Sequence, residues 1–467
     1  MCMDVNIPVM DVDRCHLKND ISVRTMEFGI NIGSECVFIP RNCEFKLKGV
    51  FSEKVGFDWI GKYAFCHLNI ARKAMADEKK FDQRTNYVVD GLNEKGLSIG
   101  GLYLPGYSNY PTIEKLQKHG VANKAISNVH FGAWVLSNFA TVPDVVAAVR
   151  QKPTDDTNQN WNEDVFVFNP LIILNNKDKY GKSSEAGQPN DVKIYADFHF
   201  VIHDQDGRSA VLEWVDGKHV KVYQQDFVEE QAYKKDSGDI PYFPPKNEDT
   251  AKIAIPDLHR YVGVMTNAPT YDWHINNLKN YVYFTDRPHS DRMMNIGNYR
   301  AALNGIGLKG LPASGLPADR FIQAYVVANL SQPPHTTKEA LILGQKIINR
   351  MDIPFGLMKD VVNPTSVDKD EILPTKNRGN SSLIEESKEI CLSKVKSGQS
   401  LGCDITQWAV LRDHKHTDYY FRSYGDLSLK VVNVKSLAEH HKHIFLTEEC
   451  KLGDMQKMEE MHFSKVD

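Results

Sequence analysis

The stretch IYADFHFVIHDQDGRSAVLEWVDGKHVKVY, residues 194–223, decides the fold class. Phe198, Phe200 and Ile202 recur at every second position, the spacing that places side chains on one face of a strand. Asp206-Gly207 follows, then Val211, Glu213 and Val215, then Asp216-Gly217, then Val220 and Val222. Asp-Gly between alternating runs is a hairpin signal, because glycine accepts the positive φ of a tight turn. The segment predicts three antiparallel strands joined by two Asp-Gly turns.

Working outward, the first 110 residues read as strands and turns, with apolar runs at Ile21–Arg24, Cys36–Pro40 and Gly96–Tyr103. Between about 111 and 151 the pattern turns helical: Ala133 to Phe139 predicts an apolar helix face, and Thr141-Val142-Pro143-Asp144 is a helix start. Ala318–Ala328 and Lys338–Asn349 also read as helices, whereas Trp408–Leu411 and Tyr419–Tyr424 return to strand. Strands, helices, strands, helices and strands in that order fit an α+β protein of two packed antiparallel sheets flanked by helices. Polar stretches at about 174–192, 234–250 and 360–402 read as surface insertions in one domain spanning 1–467, with a linker as the alternative for the last.

With 42% hydrophobic and 25% charged residues, the 467-residue chain can bury a sizeable core. Its 56 basic and 60 acidic side chains nearly cancel, and no long basic run exists to neutralise phosphates, which argues against nucleic-acid binding. No apolar stretch is long enough to span a bilayer, and MCMDVNIPVMDVDRC lacks the features of a secretory signal. The expected compartment is therefore the cytoplasm, with no membrane partner. Eight cysteines without a CxxC pair predict free thiols. Gly305-Ile306-Gly307-Leu308-Lys309-Gly310 satisfies GxGxxG outside any βαβ setting and reads as a loop. The histidines at 414, 416, 440, 441 and 443 lie among charged residues and read as solvated surface rather than metal ligands.

Cys2 is the first candidate for chemistry. A small second residue permits removal of the initiator Met, and the exposed cysteine then carries a thiol and a free α-amine, both of which titrate within reach of neutral pH. Arg24-Thr25-Met26-Glu27-Phe28-Gly29 ends a predicted strand that can return beside the amino-terminal strand. A guanidinium there would favour the thiolate, and a carboxylate would hold the ammonium or orient a substrate.

Four separated runs then become specific together: RTMEF at 24–28, VVDGLNEKGLSIGGLYLPG at 88–106, VGVMTNAPTYDWHINNLKNY at 262–281 and GLPADRF at 315–321. In order and spacing they resemble the penicillin V acylase and bile salt hydrolase (choloylglycine hydrolase) family of N-terminal-nucleophile enzymes, over most of 1–360 and the strands at 404–435. The resemblance implies an αββα sandwich in which an N-terminal thiol attacks an amide carbonyl, the α-amine moves the proton, and water hydrolyses an acyl-thioester. Position by position it implies Cys2 as nucleophile, Arg24 as its neighbouring arginine, Asn267 as oxyanion-hole amide and Arg320 as a second arginine. Tyr103 falls where penicillin acylases tend to carry Tyr and bile salt hydrolases Asn, and its backbone N–H would complete the oxyanion hole.

Two departures stand out. Glu27 occupies a position where the family usually has Asp, and the Cys2 to Arg24 spacing is longer than the family's, which predicts an enlarged hairpin loop around 9–19. Cys15 is consequently a rival nucleophile, on condition that residues 1–14 are removed as a propeptide. The expected function is hydrolysis of a small-molecule N-acyl amide with an apolar or aromatic acyl group, penicillin V acylase-like, without metal or organic cofactor. The alternatives are a bile salt or N-acyl homoserine lactone amide hydrolase on the same scaffold, or a catalytically silent relative that binds acylated ligands. A homo-oligomer is the expectation that the resemblance carries.

Overall fold

The first strand shows how the sequence divides its faces. In β1 (Cys2–Met10) the odd residues Met3, Val5, Ile7 and Val9 are apolar, while Cys2, Asp4 and Asn6 point the other way. All nine residues are buried, so both faces are covered and one of them buries polar groups. The computed structural model describes residues 2–11, 17–70, 87–149, 165–175, 191–217, 219–225, 262–281, 283–286, 293–296, 299–302, 305–359, 400–440, 445–446 and 464–465.

After β1 come β2 (Leu17–Ile30), β3 (Cys36–Ile39), β4 (Phe65–Asn69), β5 (Val88–Asn93) and β6 (Ser98–Tyr103). Two helices follow, α1 (Asn128–Asn138) and α2 (Val142–Val149), before β7 (Phe198–His203), β8 (Ser209–Trp214) and β9 (Val220–Gln225). β10 (Val264–Thr266) then leads into α3 (Tyr271–Leu278), α4 (Pro317–Leu330) and α5 (Thr337–Met351). The strands β11 (Ser400–Asp413), β12 (Asp418–Ser423) and β13 (Lys430–Asn433) return to the first sheet.

That sheet has the order β10-β1-β2-β11-β12-β13, with Met358–Lys359 also pairing β11. The second runs β9-β8-β7-β6-β5-β4-β3 and continues through Phe445–Leu446 and Ser464–Lys465. The strand pairs of both sheets are antiparallel. Helices α4 and α5 cover the outer face of the first sheet and α1 that of the second, giving an αββα sandwich. Two glycines permit the close approach. A Cβ on Gly344 of α5 would come within 2.6 Å of Val23, and one on Gly132 of α1 within 2.8 Å of Val88.

The meander appears as predicted, and its two turns place Gly207 and Gly217 at φ values of 76° and 78°. Two expectations are corrected. The extra residues of the first hairpin lengthen its strands, since pairing runs on to Val9 with Asn19 and Met10 with Leu17 past a bulge. Cys15 lies outside the described residues. Helix α1 is buried on every side rather than on one face, because Phe57 and Trp59 cover what would be its outer surface and Trp59 Nε1 donates to Ser137 Oγ at 2.9 Å.

Insertion boundaries also shift. Leu171–Asn175 and Asp191–Tyr195 pair as a hairpin, and β11 already begins at Ser400, so the ends of the 174–192 and 360–402 stretches are strand. Residues 234–250 and the interiors of the other two stretches are outside the described residues. The GxGxxG segment holds a single 3-10 turn at Ile306–Leu308. No helix among the described residues is long and apolar enough to cross a membrane.

Candidate active site

Register places the site. Cys2 lies opposite Met26 across the β1–β2 ladder and Asp4 lies opposite Arg24, so all four side chains share the face turned toward the second sheet. The segment Arg24–Gly29 ends a strand as the sequence suggests, since the fourteen-residue β2 stops at Ile30. Its Nη2 lies 3.8 Å from the Cys2 Sγ, and the Met26 Sδ is 3.4 Å from the same thiol. Nη2 also donates to Gly101 O, Nη1 donates to Val89 O at 2.7 Å, and the guanidinium sits 5.2 Å from the centre of the Trp408 ring.

Asn267 comes immediately after β10, which pairs β1 through Met3 and Thr266. Its Oδ1 accepts from Cys2 N, and its Nδ2 donates to Tyr103 O at 2.7 Å. Thr266 Oγ1 donates to Cys2 O at 2.7 Å, holding the Cys2 backbone. The Leu104 N–H donates across the ladder to Asp197 O at 2.6 Å. In an antiparallel pair the bonds alternate, so the N–H and C=O of Tyr103 point to the opposite edge, where Asn267 sits. The Tyr103 ring is half-buried and meets Phe28 edge to face at 6.3 Å. Burial, reinforced by Asp197, pushes its phenol up to about 12, so it stays neutral.

Glu27 and Arg320 form a pair of their own. Arg320 Nη2 lies 2.9 Å from Glu27 Oε1 and donates to Thr25 Oγ1 at 3.0 Å, and its Nη1 donates to Met351 O at 3.1 Å. Thr406 Oγ1 donates to the same Glu27 oxygen at 2.9 Å. The longer side chain at position 27 thereby reaches a helix-borne arginine.

Behind the thiol runs a buried charge ladder between the sheets. Asp90 accepts from Arg24 Nη1 at 3.1 Å, from Arg412 Nε at 3.0 Å and from Tyr419 Oη at 2.8 Å. Arg412 also donates to Asp4 Oδ2 at 3.0 Å, and His203 Nε2 lies 2.9 Å from Asp4 Oδ1. Burial alone would raise the Asp4 carboxyl, but Arg412 and His203 hold it down at about 2. The sequence reading missed Asp4, Met26, Asp90, Thr266, His274 and Arg412. Met26, Asp90, Thr266 and His274 stand inside the four family-like runs, yet nothing local distinguishes them from strand or helix residues.

The surface reading of the histidines needs correction at His414. Its ring is buried, Nε2 lies 2.9 Å from Ser22 Oγ, and Nδ1 lies 2.8 Å from Gly96 O, because the turn after β11 tucks under the β5–β6 hairpin. Burial first, then His203, pushes it down to about 3. His416 and His440 are exposed or partly so, and 441 and 443 lie outside the described residues. Among the described residues no group of three His, Cys, Asp or Glu is placed to hold a metal ion, and Cys2, Cys36, Cys43, Cys66 and Cys403 are free thiols.

Comparison with known proteins finds amide hydrolases. The bile salt hydrolase/transferase of Clostridium perfringens is 27% identical over 64% of this chain, and the match spans 65% of that protein, just under two thirds of its length. The penicillin V acylase of Pectobacterium atrosepticum is 22% identical over 89% of this chain and 77% of its own. The conjugated bile acid hydrolase of Lactobacillus acidophilus is 32% identical over 60% and 68%. In fold, a solved mutant of the conjugated bile acid hydrolase from Clostridium perfringens superposes with a TM-score of 0.59 at 19% identity, covering 98% of this chain and all of that one. The penicillin V acylase structure from Agrobacterium tumefaciens gives 0.55 at 17% identity, with both chains covered in full. Residues 14–165 and 248–367, more than half of the sequence, match the linear amide C–N hydrolases of the choloylglycine hydrolase family, and the chain belongs to that family.

Proposed function

We propose that the chain hydrolyses linear amides R–CO–NH–R′ through an acyl-thioester on Cys2, with a preference for aryl- or alkyl-acyl substrates such as penicillin V. The observation that carries this reading is the meeting of the Cys2 thiol, the Arg24 guanidinium and the Asn267 amide at one end of β1. Removal of Met1 converts Cys2 N into an α-amine. The amine takes the thiol proton, Sγ bonds the carbonyl carbon, and the C–N bond breaks as the leaving nitrogen takes a proton from the ammonium. Water then cleaves the thioester, giving R–COOH and free enzyme. One Nδ2 hydrogen of Asn267 is committed to Tyr103 O, and the other is the donor assigned to the oxyanion together with the Tyr103 N–H. Arg24 sets its guanidinium 3.8 Å from the attacking sulfur.

The Clostridium and Lactobacillus relatives support a second reading, a conjugated bile acid as substrate. The Tyr103–Phe28 aromatic pair favours the first, since it offers a flat apolar wall beside the oxyanion hole. Mass measurement of the purified amino-terminal peptide tests the nucleophile: it should begin at Cys2, and Cys2→Ser should abolish amidase activity with the fold intact. A terminus beginning at Cys15, or a retained Met1 on an active enzyme, would overturn the assignment. An inactive protein with Met1 retained would mark a silent acyl-ligand binder.

A further inference from the structure

We infer that His274 is a positioning residue that sets the oxyanion asparagine, Asn267, by holding its backbone carbonyl. This rests on the reading of Asn267 as an oxyanion donor and extends it to a side chain that touches no substrate.

The need for such a group follows from the ladder. β10 ends at Thr266, whose partner is Met3, so Asn267 is the first residue beyond the described pairing. Its side chain is stretched between Cys2 N and Tyr103 O, and both contacts depend on where its Cα lies. A peptide carbonyl buried at such a point needs a donor. His274 Nε2 supplies it, 2.8 Å from Asn267 O. A carbonyl only accepts, so Nε2 carries the hydrogen, and the neutral ring has the Nε2–H tautomer.

The ring is itself immobilised. It stacks on Phe321 of α4 at 4.9 Å with 13° between planes, and Trp273 meets it edge-on at 5.4 Å. The start of α3 is tied down by Tyr271 N donating to Glu213 Oε1 at 3.0 Å, and the same oxygen lies 2.9 Å from His199 Nδ1. His274 is almost fully buried, and burial pushes it down to about 4, which keeps it neutral and in one donor state over the working range. A rigid ring in a fixed tautomer thus transmits the packing of α3 and α4 to the backbone of Asn267.

The test uses the full-length enzyme and three amides as probes: penicillin V, a glycine-conjugated bile salt and a long-chain acyl homoserine lactone. His274→Phe keeps the stack on Phe321 and removes the donor, whereas His274→Gln places an N–H where Nε2 lies. His274→Phe should lower kcat about tenfold with KM changed less than about twofold, the signature of a transition-state effect, and His274→Gln should recover most of it. Combined with Asn267→Ala, the His274→Phe change should add nothing further. Nitrogen-detected NMR of labelled histidine should show the hydrogen on Nε2. A Nδ1–H tautomer, or equal loss in the Phe and Gln variants, would overturn the inference. If Asn267→Ala is impaired and His274→Phe is not, this inference alone fails. If Asn267→Ala leaves kcat unchanged, or no probe is turned over, the functional reading fails, and the NMR tautomer still decides whether His274 holds Asn267.

Discussion

Arg24 Nη1 lies 3.1 Å from Asp90 Oδ2, and neither side chain has any exposed surface. The pair crosses between the two sheets, and Asp90 simultaneously serves Arg412. Two guanidiniums share one carboxylate here, with Asp4 as the second anion. Burial would lower the Arg412 guanidinium, but Asp90 and Asp4 more than offset it and hold the residue charged.

Asp90→Asn should therefore cost about 3–5 kcal/mol, the range for breaking a buried ion pair by deleting one partner, because two cations are left against one anion. Urea titration of the purified variant measures it. A loss below about 1 kcal/mol would mean that water or a shifted side chain already screens the ladder.

Asn267→Ala should lower kcat roughly a hundredfold or more with a smaller change in KM, since an oxyanion donor acts where charge develops. Steady-state kinetics on penicillin V checks this. Weakened binding with kcat unchanged would move Asn267 from the chemistry to substrate recognition.

Tyr103→Asn should shift the ratio of kcat/KM for penicillin V over a glycine-conjugated bile salt toward the bile salt by about tenfold, the scale of a change in apolar pocket shape. The neutral phenol ring that packs edge to face with Phe28 is replaced by a small polar amide. The backbone N–H is unaffected by the substitution, so the comparison isolates shape from oxyanion stabilisation. A parent enzyme that already turns over the bile salt tenfold better would sink the aromatic preference.

Asp20→Asn should stabilise the protein increasingly as pH rises. Burial pushes the Asp20 carboxyl well above its usual range, with Asp204, Asp4 and Asp413 adding to the effect and Asn6 opposing it. A folded-state pKa raised above the unfolded one contributes stability below the unfolded value that is lost as pH rises through the folded value. The Tm advantage of the variant should thus be small near about pH 4 and grow toward about pH 8. Thermal melts across that range measure it, and a gap that shrinks with pH would contradict a protonated Asp20.

What the sequence by itself determined was local. The Asp-Gly pairs specify their turns because glycine alone enters the left-handed region without strain, and Gly207 and Gly217 do so. Helix α5 begins where Thr336 accepts from Glu339 N, a cap visible in the order of residues. Arg24, Asn267 and Tyr103 are candidates because they sit in runs that resemble a family, and Cys2 because it follows the initiator Met. Only the tertiary structure decided the rest. Asp90 meets Arg24 across 66 residues and Arg412 across 322, and Asp4 meets His203 across 199. In the chain Asp4 and Asp90 are each the one charged residue of a strand, with nothing nearby in sequence to name the partner. Their role appears when two sheets stack face to face, since burial removes water from every charge between them and leaves opposite charges to satisfy one another.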